Sequence, residues 1–131
     1  HDPNNKGHVD ILVQNQSKKF KWIGEAKLYD GNRYHQKGLY QLINDYSSGG
    51  KFESGGVLIY LNKTQYSVKD VMQSWNAHLK ELAKDPNNRL VNFDSKFDED
   101  TSSIFYSQHT HHRSGDPYRI RHCCLDIRID F

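Results

Sequence analysis

Val57, Leu58, Ile59, Tyr60 and Leu61 form an unbroken apolar run behind two glycines, in a chain whose hydrophobic fraction is only 35%. A run that ignores the in-out alternation of a one-sided strand has the pattern of a strand buried on both faces. Such a strand belongs in the middle of a sheet, so the segments around it should supply flanking strands and covering helices. With 131 residues the chain is long enough for one core and too short for two, and residues 1–131 are expected to form a single domain.

The flanking segments fit that expectation. Residues 8–14 (HVDILVQ) are mostly apolar and β-branched and read as a largely buried strand, with Asp10 inside it. The polar NQSKK suits a hairpin connection, and FKWIGEAK reads as the second strand. Asn32 is placed to cap a helix over residues 33–46 that carries Leu39, Leu42, Ile43 and Tyr46 at helical spacing, and SSGG stops it. Ser67 with Asp70 resembles a capping box ahead of a stripe of Val68, Val71, Met72, Trp75, Leu79 and Leu82, the core face of a second helix ending near Lys84 at DPNN. Residues 89–93 suit a short strand, and DSKFDEDTS a charged loop. SIFYSQHTHH and YRIRHCCLDIRIDF then read as an additional C-terminal β-hairpin through RSGDP, its second strand alternating at Leu125, Ile127, Ile129 and Phe131. The order predicts an α/β domain with a central mixed β-sheet flanked by helices.

Charge and cysteine content exclude more than they assign. A formal charge of +2 does not announce a nucleic-acid binder, although eight histidines raise it in mild acid. Cys123 and Cys124 are adjacent and point to opposite sides of a strand, so they build no disulfide framework, which favours a reducing compartment. No stretch approaches the roughly 20 apolar residues of a membrane span. A cytoplasmic protein without membrane contact is expected. The start HDPNNKG, without methionine, is expected of a piece excised from a longer chain with an additional domain, His1 being a remnant of the cut.

The first hairpin gathers charge. If its turn centres on Ser17 and Lys18, paired residues sum to 35 and Asp10 lies directly across from Glu25, on one face and about 5 Å away. Lys27, two residues on, shares that face. Two carboxylates so close repel unless a cation lies between them, and hard carboxylate oxygens with a backbone carbonyl such as that of Ala26 and several waters suit magnesium. In that arrangement Asp10 and Glu25 hold the metal while Lys27 orients a nucleophile or neutralises developing negative charge, the outline of a phosphodiester-hydrolysis site. A surface ion pair of Lys27 with either carboxylate is the plain alternative.

GHVD at 7–10, EAK at 25–27 and QKGLYQL at 36–42, in that order on strand, strand and helix, resemble the PD-(D/E)XK, or restriction-endonuclease-like, nuclease superfamily. That family is marked by a Gly-x-x-Asp strand, an (Asp/Glu)-x-Lys strand and often a glutamine on the next helix. The resemblance implies a restriction-endonuclease-like core and a Mg2+-dependent endonuclease, Mn2+ substituting, that hydrolyses phosphodiester bonds in nucleic acid, DNA ahead of RNA. It implies Asp10 and Glu25 as metal ligands and Lys27 as the catalytic lysine. Gln36 with Tyr40 resembles the Gln-x-x-x-Tyr arrangement of the RecB-like branch, and Gln41 competes for the same supporting role. Family habit adds an effector role in restriction or anti-phage defence, and a homodimer wherever both strands are cut. The likeness covers residues 7–61 and extends loosely to the second helix. The opening helix and first strand usual in the family are not visible before Gly7. The alternative is a module of the same fold that binds nucleic acid or a protein without cutting.

Two further clusters remain. His109, His111 and His122, with Cys123 or Cys124 alongside, offer zinc or copper ligand types, though not at zinc-finger spacing. The favoured reading places these histidines with Arg113, Arg119 and Arg121 on a polar, basic surface with Tyr106 and Tyr118 interleaved; a surface strand with ordinary charges is favoured slightly over one that meets a phosphate backbone.

Overall fold

The computed structural model describes residues 10–63 and 65–129. Strand β1 (Ile11–Gln14) turns into β2 (Lys21–Leu28), and helix α1 (Asn32–Tyr40) runs on into a π-helical turn at Gln41–Tyr46. There follow β3 (Glu53–Leu61), α2 (Val68–Leu82), a short 3-10 turn at Pro86–Asn88, β4 (Asp94–Phe97), β5 (Ile104–Thr110) and β6 (Pro117–Asp126). All six strands join one mixed sheet in the order β1-β2-β3-β6-β5-β4. β2, β3 and β6 run parallel, and antiparallel strands close both sides.

β3 is central, as its apolar run predicts, but it is not buried on both faces. Val57, Ile59 and Leu61 are sealed while Leu58 and Tyr60 are half-buried. The register explains this. Glu25, Val57 and His122 lie in one row across β2, β3 and β6, and α1 and α2 both pack on that side, through Gly38 against Glu25 and Trp75 against His122. Right-handed crossovers that progress in one direction along a sheet fall on the same face. The core of Ile23, Leu39, Ile43, Ile59, Met72, Trp75 and Phe105 therefore lies on one side, and among the described residues no helix covers the other.

Several expectations are corrected. β1 is an edge strand with three of four residues exposed, not a largely buried one, because only β2 pairs with it; residues 8 and 9 lie outside the described ones. Helix α1 is capped by Gly31, at φ 89°, and Asn32 instead donates to Ser74. Ser67 does cap α2, its hydroxyl accepting from the Asp70 amide at 3.0 Å. The expected strand at 89–93 is absent: Arg89 and Asn92 both take positive φ, and the strand forms one step later at Asp94–Phe97. The C-terminal hairpin is not an addition to the sheet but part of its centre, since β6 pairs with β3. Its second strand buries Tyr118, Ile120, His122 and Cys124 on the helix side and Cys123 on the other, whereas Leu125, Ile127 and Ile129 are exposed and Phe131 lies outside the described residues.

Candidate active site

The β1-β2 ladder pairs Ile11 with Gly24 and Gln14 with Lys21, the register in which partners sum to 35. Asp10, a bend just before the ladder, follows the same phase: one carboxylate oxygen accepts the Ala26 amide at 2.9 Å. This ties Asp10 to β2 beside Glu25. Gly7, His8 and Val9 of the Gly-x-x-Asp motif lie outside the described residues.

Glu25 is 3% exposed. Its Oε1 lies 2.8 Å from the Lys27 ammonium in an ion pair, the one basic partner of this buried carboxylate among the described residues. Burial pushes the Glu25 carboxyl above its ordinary pKa; Lys27 pulls it down, and the charge of Asp10 raises it further. For Lys27 burial acts downward, but contact with Glu25 and the charges of Glu25 and Asp10 outweigh it and hold the ammonium protonated above its usual range. Lys27 is thus a fixed cation, suited to neutralising charge and unsuited to removing a proton.

The residues around this triad include several the sequence did not single out. Gly38 of α1 faces Glu25 directly: a β-carbon there would come within 2.9 Å of Glu25 Cγ and 3.2 Å of Oε1. The Tyr34 ring centre is 5.8 Å from the Lys27 ammonium. Tyr46, expected as core, has its hydroxyl pKa raised by burial and then by the charges of Glu25 and Asp10, which places it in their field. A signal for Gly38 was present, since glycine inside a helix costs roughly 1 kcal/mol against alanine and needs a packing reason.

Gln36 and Gln41 are placed differently. Gln36 accepts at 2.7 Å from His78 on α2, and the Tyr40 hydroxyl donates to the Asn88 carbonyl at 2.6 Å, so the Gln-x-x-x-Tyr pair turns toward α2 and the turn after it. Gln41 is exposed at the start of the π-helical turn, three positions beyond Gly38.

The residues present fit a hard divalent cation. Glu25 is a buried carboxylate whose Oε1 is paired with Lys27, and Asp10 is an exposed carboxylate beside it. The Lys21 amide bonds to the Phe52 carbonyl just ahead of β3 and the Tyr29 amide to the Tyr60 carbonyl of β3, so odd positions of β2 turn their backbone to β3. Ala26 consequently turns its carbonyl toward the β1 edge, where its amide already meets Asp10. Two carboxylates and a carbonyl form no cluster of three or more His, Cys, Asp or Glu ligands, and none occurs among the described residues. Magnesium, which keeps several waters, asks for no such cluster.

The basic surface expected near the last hairpin is divided by the sheet. His109, His111 and His122 are buried on the helix side with Tyr118, while Tyr106, Arg119 and Arg121 are exposed on the other. Both ring nitrogens of His122 are engaged, Nδ1 accepting from the Trp75 indole at 2.9 Å and Nε2 bonded to Ser107 at 2.8 Å. Compared with known proteins, the chain matches no family model, no curated protein and no solved structure.

Proposed function

We propose that the domain is a magnesium-dependent nuclease that hydrolyses phosphodiester bonds, DNA ahead of RNA, at the Asp10, Glu25 and Lys27 cluster. The observation that carries this reading is a buried carboxylate set between a second carboxylate and a lysine held as a cation. A buried anion of that kind is costly without a counter-charge. Lys27 supplies part of it, and Asp10, Glu25 and the Ala26 carbonyl would hold a divalent ion whose charge would supply the remainder.

When bound, the ion supplies the charge that acidifies a water and polarises a phosphoryl oxygen. The chain's own residues do the rest. Asp10, anchored on the Ala26 amide, has its position fixed by backbone, and Glu25 is fixed between β2 and α1. Lys27, a quarter exposed, reaches the solvent side and stabilises the negative charge that builds on the phosphate as water attacks phosphorus and the bridging P–O bond breaks. Preorganisation by strands suits such a site better than loops would.

The test is incubation of the domain and of Lys27→Ala with supercoiled plasmid and with single-stranded RNA, in magnesium, manganese or EDTA. Cutting that needs the metal and falls at least about 100-fold in the variant is the expected result. A folded domain that cuts neither polymer under any of these conditions sinks the catalytic reading and leaves a binding module. Magnesium should also raise the melting temperature of the parent protein near neutral pH, and Glu25→Gln should abolish that rise.

A further inference from the structure

The helix-free face of the sheet carries a groove of about 530 Å3 whose lining includes Trp22, Lys96, Tyr106, Arg119 and Arg121. It lies on the opposite side of the sheet from Glu25, because side chains alternate and Trp22 is three positions away on β2. The Trp22 indole rests on Gly24 and Gly56: a β-carbon at Gly24 would meet it at 2.7 Å, and one at Gly56 would overlap it. Gly56 pairs with Arg121, Arg121 with Tyr106, and Tyr106 with Lys96. Across neighbouring strands the row therefore reads indole, guanidinium, phenol, ammonium, with about 10 Å between the two aromatic positions.

The cations of this row are poorly occupied. Arg121 has no hydrogen-bond or carboxylate partner among the described residues, and Arg119 uses only Nε, donating to Gln108 at 3.0 Å. Lys96 has a 3.9 Å contact with Glu99, both side chains largely exposed. Asp94 is the one acid in the lining. A second depression of about 590 Å3 shares Ser54 and Arg119 with the first and adds Phe20, Phe52 and Lys51 together with the acids Glu53 and Asp116. Phe20 and Phe52 are 50% and 40% exposed, a degree of exposure that burial in a core does not account for.

We propose that this face is a binding track for single-stranded nucleic acid. Weakly paired guanidinium and ammonium groups complement a phosphodiester chain, and the half-buried Trp22 and exposed Tyr106 among them are stacking platforms for bases. A duplex keeps its base faces stacked on one another and cannot use such platforms. The track is independent of cleavage, since its residues lie on the other side of the sheet from Asp10, Glu25 and Lys27.

The test is fluorescence polarisation with end-labelled 12-mer oligothymidylate, 12-mer oligouridylate and a 12-base-pair duplex, in EDTA so that no cutting intervenes. Binding of at least one single strand, with the duplex at least about ten-fold weaker, is expected. Trp22→Ala and Tyr106→Ala should each weaken it by roughly ten-fold or more. Arg121→Gln should lower the slope of log K against log salt by about 0.7. Trp22 is packed on the sheet, so Tyr106→Ala, at an exposed position, is the deciding variant if Trp22→Ala does not fold. Unchanged binding in folded Tyr106→Ala, preference for the duplex, or self-association abolished by the face variants would each overturn the proposal, the last by giving the face to a second copy. Cutting by a domain whose single-strand binding is unchanged in folded Tyr106→Ala removes this proposal alone; binding without cutting removes the catalytic one alone.

Discussion

At the scale of single residues, Gly38 decides how the carboxylates are held. Alanine is the better helix former by roughly 1 kcal/mol, yet its β-carbon would press on Glu25 Cγ, a buried atom in mid side chain. Gly38→Ala should therefore leave stability to urea within about 1 kcal/mol of the parent while cutting magnesium-dependent cleavage at least about ten-fold. Loss of stability without loss of turnover would show that the close approach serves packing only. The charged triad was legible because strand alternation and a hairpin register are sequence rules, and Asp10, Glu25 and Lys27 obey them. Tyr34 and Tyr46 were not legible as neighbours of the triad. Their positions depend on where α1 lies over β2 and on the π-helical turn, which periodicity does not specify.

Among the elements, β4 departs furthest from expectation. Its residues alternate Asp94 and Lys96 outward with Ser95 and Phe97 inward, so charge filled half of the strand and read as loop. Ser95 donates to Asn76 on α2 at 2.7 Å, and Phe97 packs against Phe105 with ring centres 5.2 Å apart. Val91, in the segment expected as strand, is 43% exposed. Phe97→Ala should cost about 2 kcal/mol in urea unfolding and Val91→Ala less than about 0.5 kcal/mol. Equal effects would put the strand back at residues 89–93. The α2 stripe was readable because its cap and its apolar face agree with each other. The tail beyond Asp126 misled for a related reason: Leu125, Ile127 and Ile129 keep a strand period, but the helix-bearing side already belongs to Tyr118, Ile120, His122 and Cys124.

For the molecule as a whole, buried histidines govern the response to acid. Burial lowers His35 and His109 to about 4 and His122 to about 3, from a reference of 6.5. Each is neutral in the fold and takes up a proton on unfolding, so stability is fully present above about pH 6.5 and falls as pH drops toward 4 and then 3. Each contributes up to roughly 1.4 kcal/mol per pH unit in that window. Urea titrations should show the uptake of protons on unfolding rise from a small value at pH 7 to at least about three near pH 5, with His78, His111 and His112, also lowered by burial, adding to it; stability independent of pH there would mean that these rings are charged in the fold. Protonating His122 would also remove the acceptor of the Trp75 indole. The adjacent thiols add a built-in gauge of which layer of the molecule opens. Cys123 pairs with Leu58 and Ile104 on the uncovered side, and Cys124 with Ile59 beneath the helices, 7% and 3% exposed. Burial raises both thiols, Cys124 to about 11, so alkylation is slow from either side. With a single peptide reporting both, Cys123 should alkylate first and be shielded by whatever occupies the sheet, while Cys124 should wait for the helices to lift, and the interval between them measures how far the two layers unfold together.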